Sequence, residues 1–191
     1  MQERKADHPI HPLILNRWSP RAMTGEKISE EIWQSLLEAA RFAPSCYNEQ
    51  PWRFIYAVSG TAAFDQFLAT LVEFNQTWAS KAGILCVVAS RKTFEKTQKP
   101  SVTHAFDAGA AWENLALEGS NRGLVVHGMG GFDYAKARIA TKIPEDFELL
   151  MMFAVGKRAP KESLPPDLQK KESPSDRKPI SEFAFEGTFR K

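Results

Sequence analysis

The chain has 191 residues, 43% hydrophobic and 25% charged, an ordinary composition for one globular domain with one sizeable core. Its net charge of +2 leaves no broad basic field for nucleic acid, and no stretch approaches the roughly 18 apolar residues of a membrane span. Two cysteines, Cys46 and Cys86, give neither a disulfide framework nor metal-ligand spacing, and the leader M-Q-E-R-K-A-D-H-P has no apolar signal core, so the expected setting is the reducing cytoplasm.

In chain order, His8 and His11 stand between prolines without a surrounding ligand constellation and read as part of a solvated leader. Leu13 to Asn16 reads as a short helix that delivers Arg17, Ser19 and Arg21 to a turn containing Pro20. Guanidinium groups so placed either grip an oxyanion through charge-assisted bonds or sit in solvent. Ile28 to Ala43 is the clearest helix. Ser29 is its N-cap, Glu30 and Glu31 suit its positive end, Ile28 and Trp33 form a staple, and Ile32, Trp33, Leu36, Leu37 and Ala40 line one face. Pro44 stops it. From Arg41 to Trp52 the chain packs two prolines, Ser45, Asn48 and Gln50 into one turn, which serves either as a connector or as a rigid loop presenting hydrogen-bonding groups.

Arg53 to Val58 reads as a buried strand ended by Ser59 and Gly60, and Phe64 to Trp78 as a second helix with Phe64, Phe67, Leu68, Leu71 and Val72 inward. Ile84 to Ala89 is apolar at every position, which predicts a doubly covered strand with Cys86 as an inert core thiol. Arg91 to Thr103 is polar and basic without periodicity, so it is expected as a mobile loop or short excursion, either simply solvated or screening a site and attracting nucleotide phosphates. His104 to Arg122 is the central helix. Its small residues Ala105, Ala108, Gly109, Ala111 and Ala116 permit close crossing, and an isolated glycine otherwise costs about 1 kcal/mol, so Gly109 is expected at a dimer interface or the domain centre. His104 and Asp107 share a helical face; with no nucleophile beside them they read as a helix-start pair rather than an acid/base dyad.

Leu124 to His127 is a strand leading into G-M-G-G-F-D at Gly128 to Asp133. The spacing is not G-x-G-x-x-G; glycines here either form a plain turn or let backbone amides approach a flat ligand. Tyr134 to Thr141 is helical, Pro144 and Asp146 break the chain, and Leu149 to Gly156 is the last buried strand. Beyond it, residues 157–179 turn to Lys, Arg, Pro, Ser and Glu, which cannot build a core and must lie on something or stay disordered. Phe183, Phe185 and Phe189 then restore apolar character, so this arm is expected to dock.

P-S-C-Y-N-E-Q-P-W at Pro44 to Trp52 resembles the P-S-S-x-N-x-Q-P-W loop of nitroreductase-like flavoproteins, and R-W-S-P-R at Arg17 to Arg21 resembles that family's R-x-S-x-R. Two motifs in the right order are far more specific than one, and the resemblance continues through Gly123 to Asp133 into the arm. It implies an α+β fold, a central sheet flanked by helices, built as one domain over 1–191. It also implies an intertwined homodimer whose arm, 157–191, is exchanged between subunits. FMN would sit at the interface, with NADH or NADPH as electron donor and a flat electron-poor acceptor such as a nitroaromatic, quinone or enone.

By the same resemblance, Arg17 and Arg177 hold the phosphate, Arg21 lies near the pyrimidine edge, and Trp18, Ser19, Asn75, Gly128, Met129, Gly130 and Gly131 border the flavin. Pro44, Ser45, Cys46 and Asn48 belong to the loop that comes from the other subunit. The chain departs from the family at Trp78, where a lysine is expected, and at Gly130, where many relatives carry glutamate. No side chain is required as nucleophile, because the cofactor carries the chemistry. The rival reading is a flavin-binding or flavin-consuming protein without nicotinamide-driven reduction, and a weaker one is a module that binds another anion through Arg17 and Arg177.

Overall fold

The computed structural model describes residues 4–190. The run I-L-C-V-V-A organises them, since a strand apolar at every position needs cover on both faces. It forms β2 (Ile84–Arg91), flanked by β1 (Trp52–Val58) and β4 (Phe147–Lys157), with β3 (Leu124–Met129) beyond β4. All three pairings are antiparallel in the order β1-β2-β4-β3, giving an α+β fold. β3 runs past its expected end at His127 because Gly128 and Met129 stay paired with Phe153 and Met152.

Successive strand side chains point to opposite faces. Ile84, Cys86 and Val88 meet a layer made by α2 (Glu30–Arg41) and α5 (His104–Asn121), where Trp33, Leu36, Ala40, Ala111 and Leu115 are buried. Leu85, Val87 and Ala89 meet α3 (Ala62–Leu68), α4 (Glu73–Ala79) and α6 (Tyr134–Thr141) through Phe64, Phe67, Trp78 and Ala137. Burial pushes the Cys86 thiol pKa up, which keeps it a protonated core group. Ser29 caps α2 as expected, its Oγ accepting from Ile32 N at 3.3 Å.

The helix expected from Phe64 to Trp78 is in fact two. Backbone groups at its middle bond elsewhere: Val72 N donates to Gly131 O at 3.1 Å, and Asp133 N donates to Thr70 O at 2.8 Å. Leu71 and Phe132 form an isolated bridge, and Thr70 Oγ1 closes the end of α3 on Phe67 O at 2.7 Å. The break therefore seats residues 70–72 against the glycine segment.

Gly109 is not at the domain centre. A Cβ there would meet nothing, whereas at Gly119 it would overlap Val126, so Gly119 is the glycine that lets α5 lie close on β3. Gly109 shares an outward stripe with Val102 and Phe106, which are 95% and 81% exposed. Residues 92–100 form an ordered excursion closed by a Thr93 to Pro100 bridge, and Phe94 packs edge-on to Tyr47 at 5.9 Å.

The arm divides in two. Its first half docks on its own chain, burying Leu164, Leu168 of the short α7 (Pro166–Gln169), and Glu172. Its second half lies along the leader and leaves Phe183 and Phe189 65% and 79% exposed. No helix among the described residues is long and apolar enough to cross a membrane.

Candidate functional site

The arginine turn begins where α1 (Pro12–Asn16) ends and Arg17 takes an extended conformation. Arg17 Nε pairs with Glu113 of α5 at 3.2 Å, and its Nη1 donates to Ser19 Oγ at 3.5 Å. Glu172, a buried carboxylate from the arm, accepts from Arg21 N at 2.9 and 3.0 Å and from Ala22 N at 3.0 Å. Charge-assisted bonds of this kind are among the strong ones, so the arm fixes the turn. Arg158 lies over the Trp18 ring at 4.6 Å. Arg21 Nε is buried without a protein partner among the described residues, a donor left for something outside the chain.

Arg177 approaches the same turn from its own chain. It lines, with Arg4, Ile14 and Phe183, a cavity of about 710 Å³ between leader and arm. Burial, then the charges of Arg177 and Arg17, hold the Arg4 pKa below the usual arginine range, with Asp176 the smaller opposing influence. Three guanidinium groups thus share one neighbourhood. Arg17 and Arg177 stand in the segments that resemble the family, whereas Arg4 lies in the leader, which is expected to be solvated.

A continuous set of contacts leads from the turn to the glycine segment. His127 Nδ1 donates to Pro20 O at 2.8 Å, and its ring packs on Trp78 at 4.4 Å. Trp78, which stands where the family has lysine, is buried in the core beside His127. One turn earlier on α4, Asn75 Nδ2 donates to Gly131 O at 3.0 Å. Asn75 therefore holds the glycine segment, whose Gly130 is exposed with open space where a side chain would stand. Gly128 lies against Trp112 and Met151, and Met129 is buried.

The Pro44 to Asn48 loop is anchored elsewhere. Tyr47, Asn48 and Gln50 all have φ near +50° to +57°, an uncommon conformation for residues other than glycine. Internal bonds hold it: Gln50 N donates to Ser45 Oγ at 3.0 Å and Asn48 N to Ser45 O at 3.0 Å. Its tie to the body is Asp107, buried in α5, which accepts from Cys46 N at 3.1 Å and from Thr103 Oγ1 at 3.3 Å. The expected His104 and Asp107 pair is not formed. His104 Nδ1 meets Ser90 Oγ at 2.5 Å and its Nε2 lies 3.4 Å from Glu148. Pro44 and Asn48 are exposed, Ser45 and Cys46 half-buried.

A model of the nitroreductase family matches residues 14–67 and 56–157, which contain both the arginine turn and this loop. The chain belongs to the nitroreductase family. A solved structure of an oxidoreductase containing FMN superposes with a TM-score of 0.93 at 42% identity, covering 98% of this chain and 96% of that one. A protein of Archaeoglobus fulgidus whose name pairs NADH dehydrogenase with NAD(P)H nitroreductase is 27% identical over 148 residues, 75% of this chain and 82% of the relative. The major NAD(P)H-flavin oxidoreductase of Aliivibrio fischeri is 31% identical over 93 residues, 47% of this chain and 42% of that protein.

In this nitroreductase-family chain the two motifs are fastened to different points of α5. The arginine turn is tied to α5 at Glu113 and the Ser45 to Asn48 loop at Asp107. Those anchors are six positions apart on the helix, about 9 Å of rise and about 120° of rotation.

Proposed function

We propose that the chain is an FMN-dependent oxidoreductase that takes a hydride from NADH or NADPH and passes it to a flat, electron-poor acceptor such as a nitroaromatic, quinone or enone. The observation that carries this reading is the anchoring of the two family motifs at separate points of α5, Arg17 at Glu113 and Cys46 at Asp107. The uncovered stripe of Val102, Phe106 and Gly109 runs on to Glu113, the residue that holds Arg17. A two-fold contact uses the same patch on both copies, so a second chain laid on this stripe brings its own Ser45 to Asn48 loop to the first chain's arginine turn. The functional unit is accordingly a homodimer of single-domain chains, 1–191, with the apolar end of the arm crossing to the partner.

The residues present fit FMN. Arg17 and Arg177 supply cations for a phosphate, Arg21 a free buried donor for the ring edge, and Gly130 an unobstructed backbone for close approach of a planar group. FMN, when bound, supplies the hydride chemistry. The chain's part is to fix orientation: Glu172 holds the Arg21 backbone, Asn75 holds Gly131, and Asp107 holds Cys46. The fixed charge at Arg21 favours a ring that gains negative charge on reduction.

Anaerobic addition of NADH or NADPH to the FMN-loaded protein tests this. Bleaching of the flavin's visible absorption, reversed by a quinone or nitroaromatic, is expected. Flavin that stays yellow with both nucleotides contradicts the reductase reading and favours a flavin-binding protein.

A further inference from the structure

The leader holds a residue that neither motif contains. Arg4 Nη1 donates to Arg17 O at 2.6 Å and to Leu15 O at 3.3 Å, across the carboxyl end of α1. Helix carbonyls at that end lack intrahelical partners and carry the negative pole of the helix, so a guanidinium there is doubly favoured. α1 is only five residues long and buries none of them, so it has little packing of its own to fix where it stops. Arg4 is half-buried, and among the described residues neither it nor Arg177 makes an ion pair. The three guanidinium groups have Glu113 paired with Arg17 and the carboxylates of Asp7 and Asp176 along the Arg4 and Arg177 cavity, and their mutual repulsion favours a further anion.

We propose that Arg4 is a positioning residue for the cofactor phosphate: by clamping the Arg17 carbonyl it sets where the Arg17 guanidinium points, and it adds a third positive charge to the Arg17 and Arg177 grip. The proposal rests on the FMN reading above. It makes the leader a working part of the site, and it explains how a short, exposed helix delivers Arg17 reproducibly. The clamp would act at the phosphate end of a bound FMN, whereas Gly130 and Arg21 would serve its ring.

The test compares FMN with riboflavin, which has the same ring and no phosphate, by fluorescence titration of flavin-free protein. The parent is expected to bind FMN more tightly than riboflavin. Arg4→Met should weaken FMN binding about tenfold, the worth of one charged hydrogen bond, and leave riboflavin affinity unchanged. Arg4→Lys, which restores the charge but not the fork, should recover part of the loss. Equal loss for both flavins would mean that Arg4 only supports the fold, and unchanged FMN affinity would mean that it does nothing here; either overturns the proposal. If the parent itself fails to prefer FMN, the phosphate grip falls and the proposal with it. If only the parent's preference stands and the Arg4 variants share it, the FMN reading survives and the proposal alone is wrong.

Discussion

His127 is the residue whose ionisation is most clearly set by its surroundings. Burial pulls its pKa from 6.5 down to about 4, opposed by its bond to Pro20, with Arg21 adding to the fall. The folded chain thus binds this proton less readily than the unfolded chain. The stabilisation is fully present above pH 6.5, declines as pH falls below it, and is gone below about 4, with a total of about 3 kcal/mol. Thermal melts across that range should therefore show an acid limb, flattened in His127→Gln, whose amide can still donate to Pro20 O. Parallel pH profiles for parent and variant would assign the acid limb elsewhere. The same ring joins Pro20 to Trp78 and so links the arginine turn to α4.

Among the elements, the arm shows why some of the site was legible in the sequence and some was not. Periodicity marks α2 and β2 because burial on a helix or strand repeats along the chain. The R-W-S-P-R and P-S-C-Y-N segments stand out because their polar residues interrupt that repeat. Glu172, Asp107 and Arg4 leave no such mark, since each acts on backbone amides or carbonyls distant in the chain, and backbone groups have no sequence. The break between α3 and α4 is invisible for the same reason: its bonds come from Gly131 and Asp133. Glu172→Gln puts an amide donor where two backbone N–H groups need acceptors. It should cost roughly 1.5–3 kcal/mol in denaturant unfolding and speed proteolytic cutting of the exposed chain after residue 172. Unchanged stability and cutting would show that the arm is held by Leu164 and Leu168 alone.

At the scale of the molecule, several of the most exposed apolar residues lie on α5, on the loops beside it and on the arm. Tyr47, at 90% exposure, sits on the loop, Val102 just before α5 and Phe106 on α5 beside Gly109, while Phe183 and Phe189 belong to the arm. Large exposed apolar groups on one helix face and its neighbouring loop mark an interaction surface. The proposed flavin site between two chains rests on this surface together with the separate anchors at Glu113 and Asp107. Sedimentation velocity, followed both in the protein band and in the flavin's visible absorption, tests it directly. The parent should sediment as a dimer carrying one flavin per chain, and Phe106→Glu, which sets a charge in the apolar stripe, should shift protein to the monomer and leave flavin sedimenting free. Flavin that travels with a stable monomer, in parent or variant, would contradict a site shared between two copies.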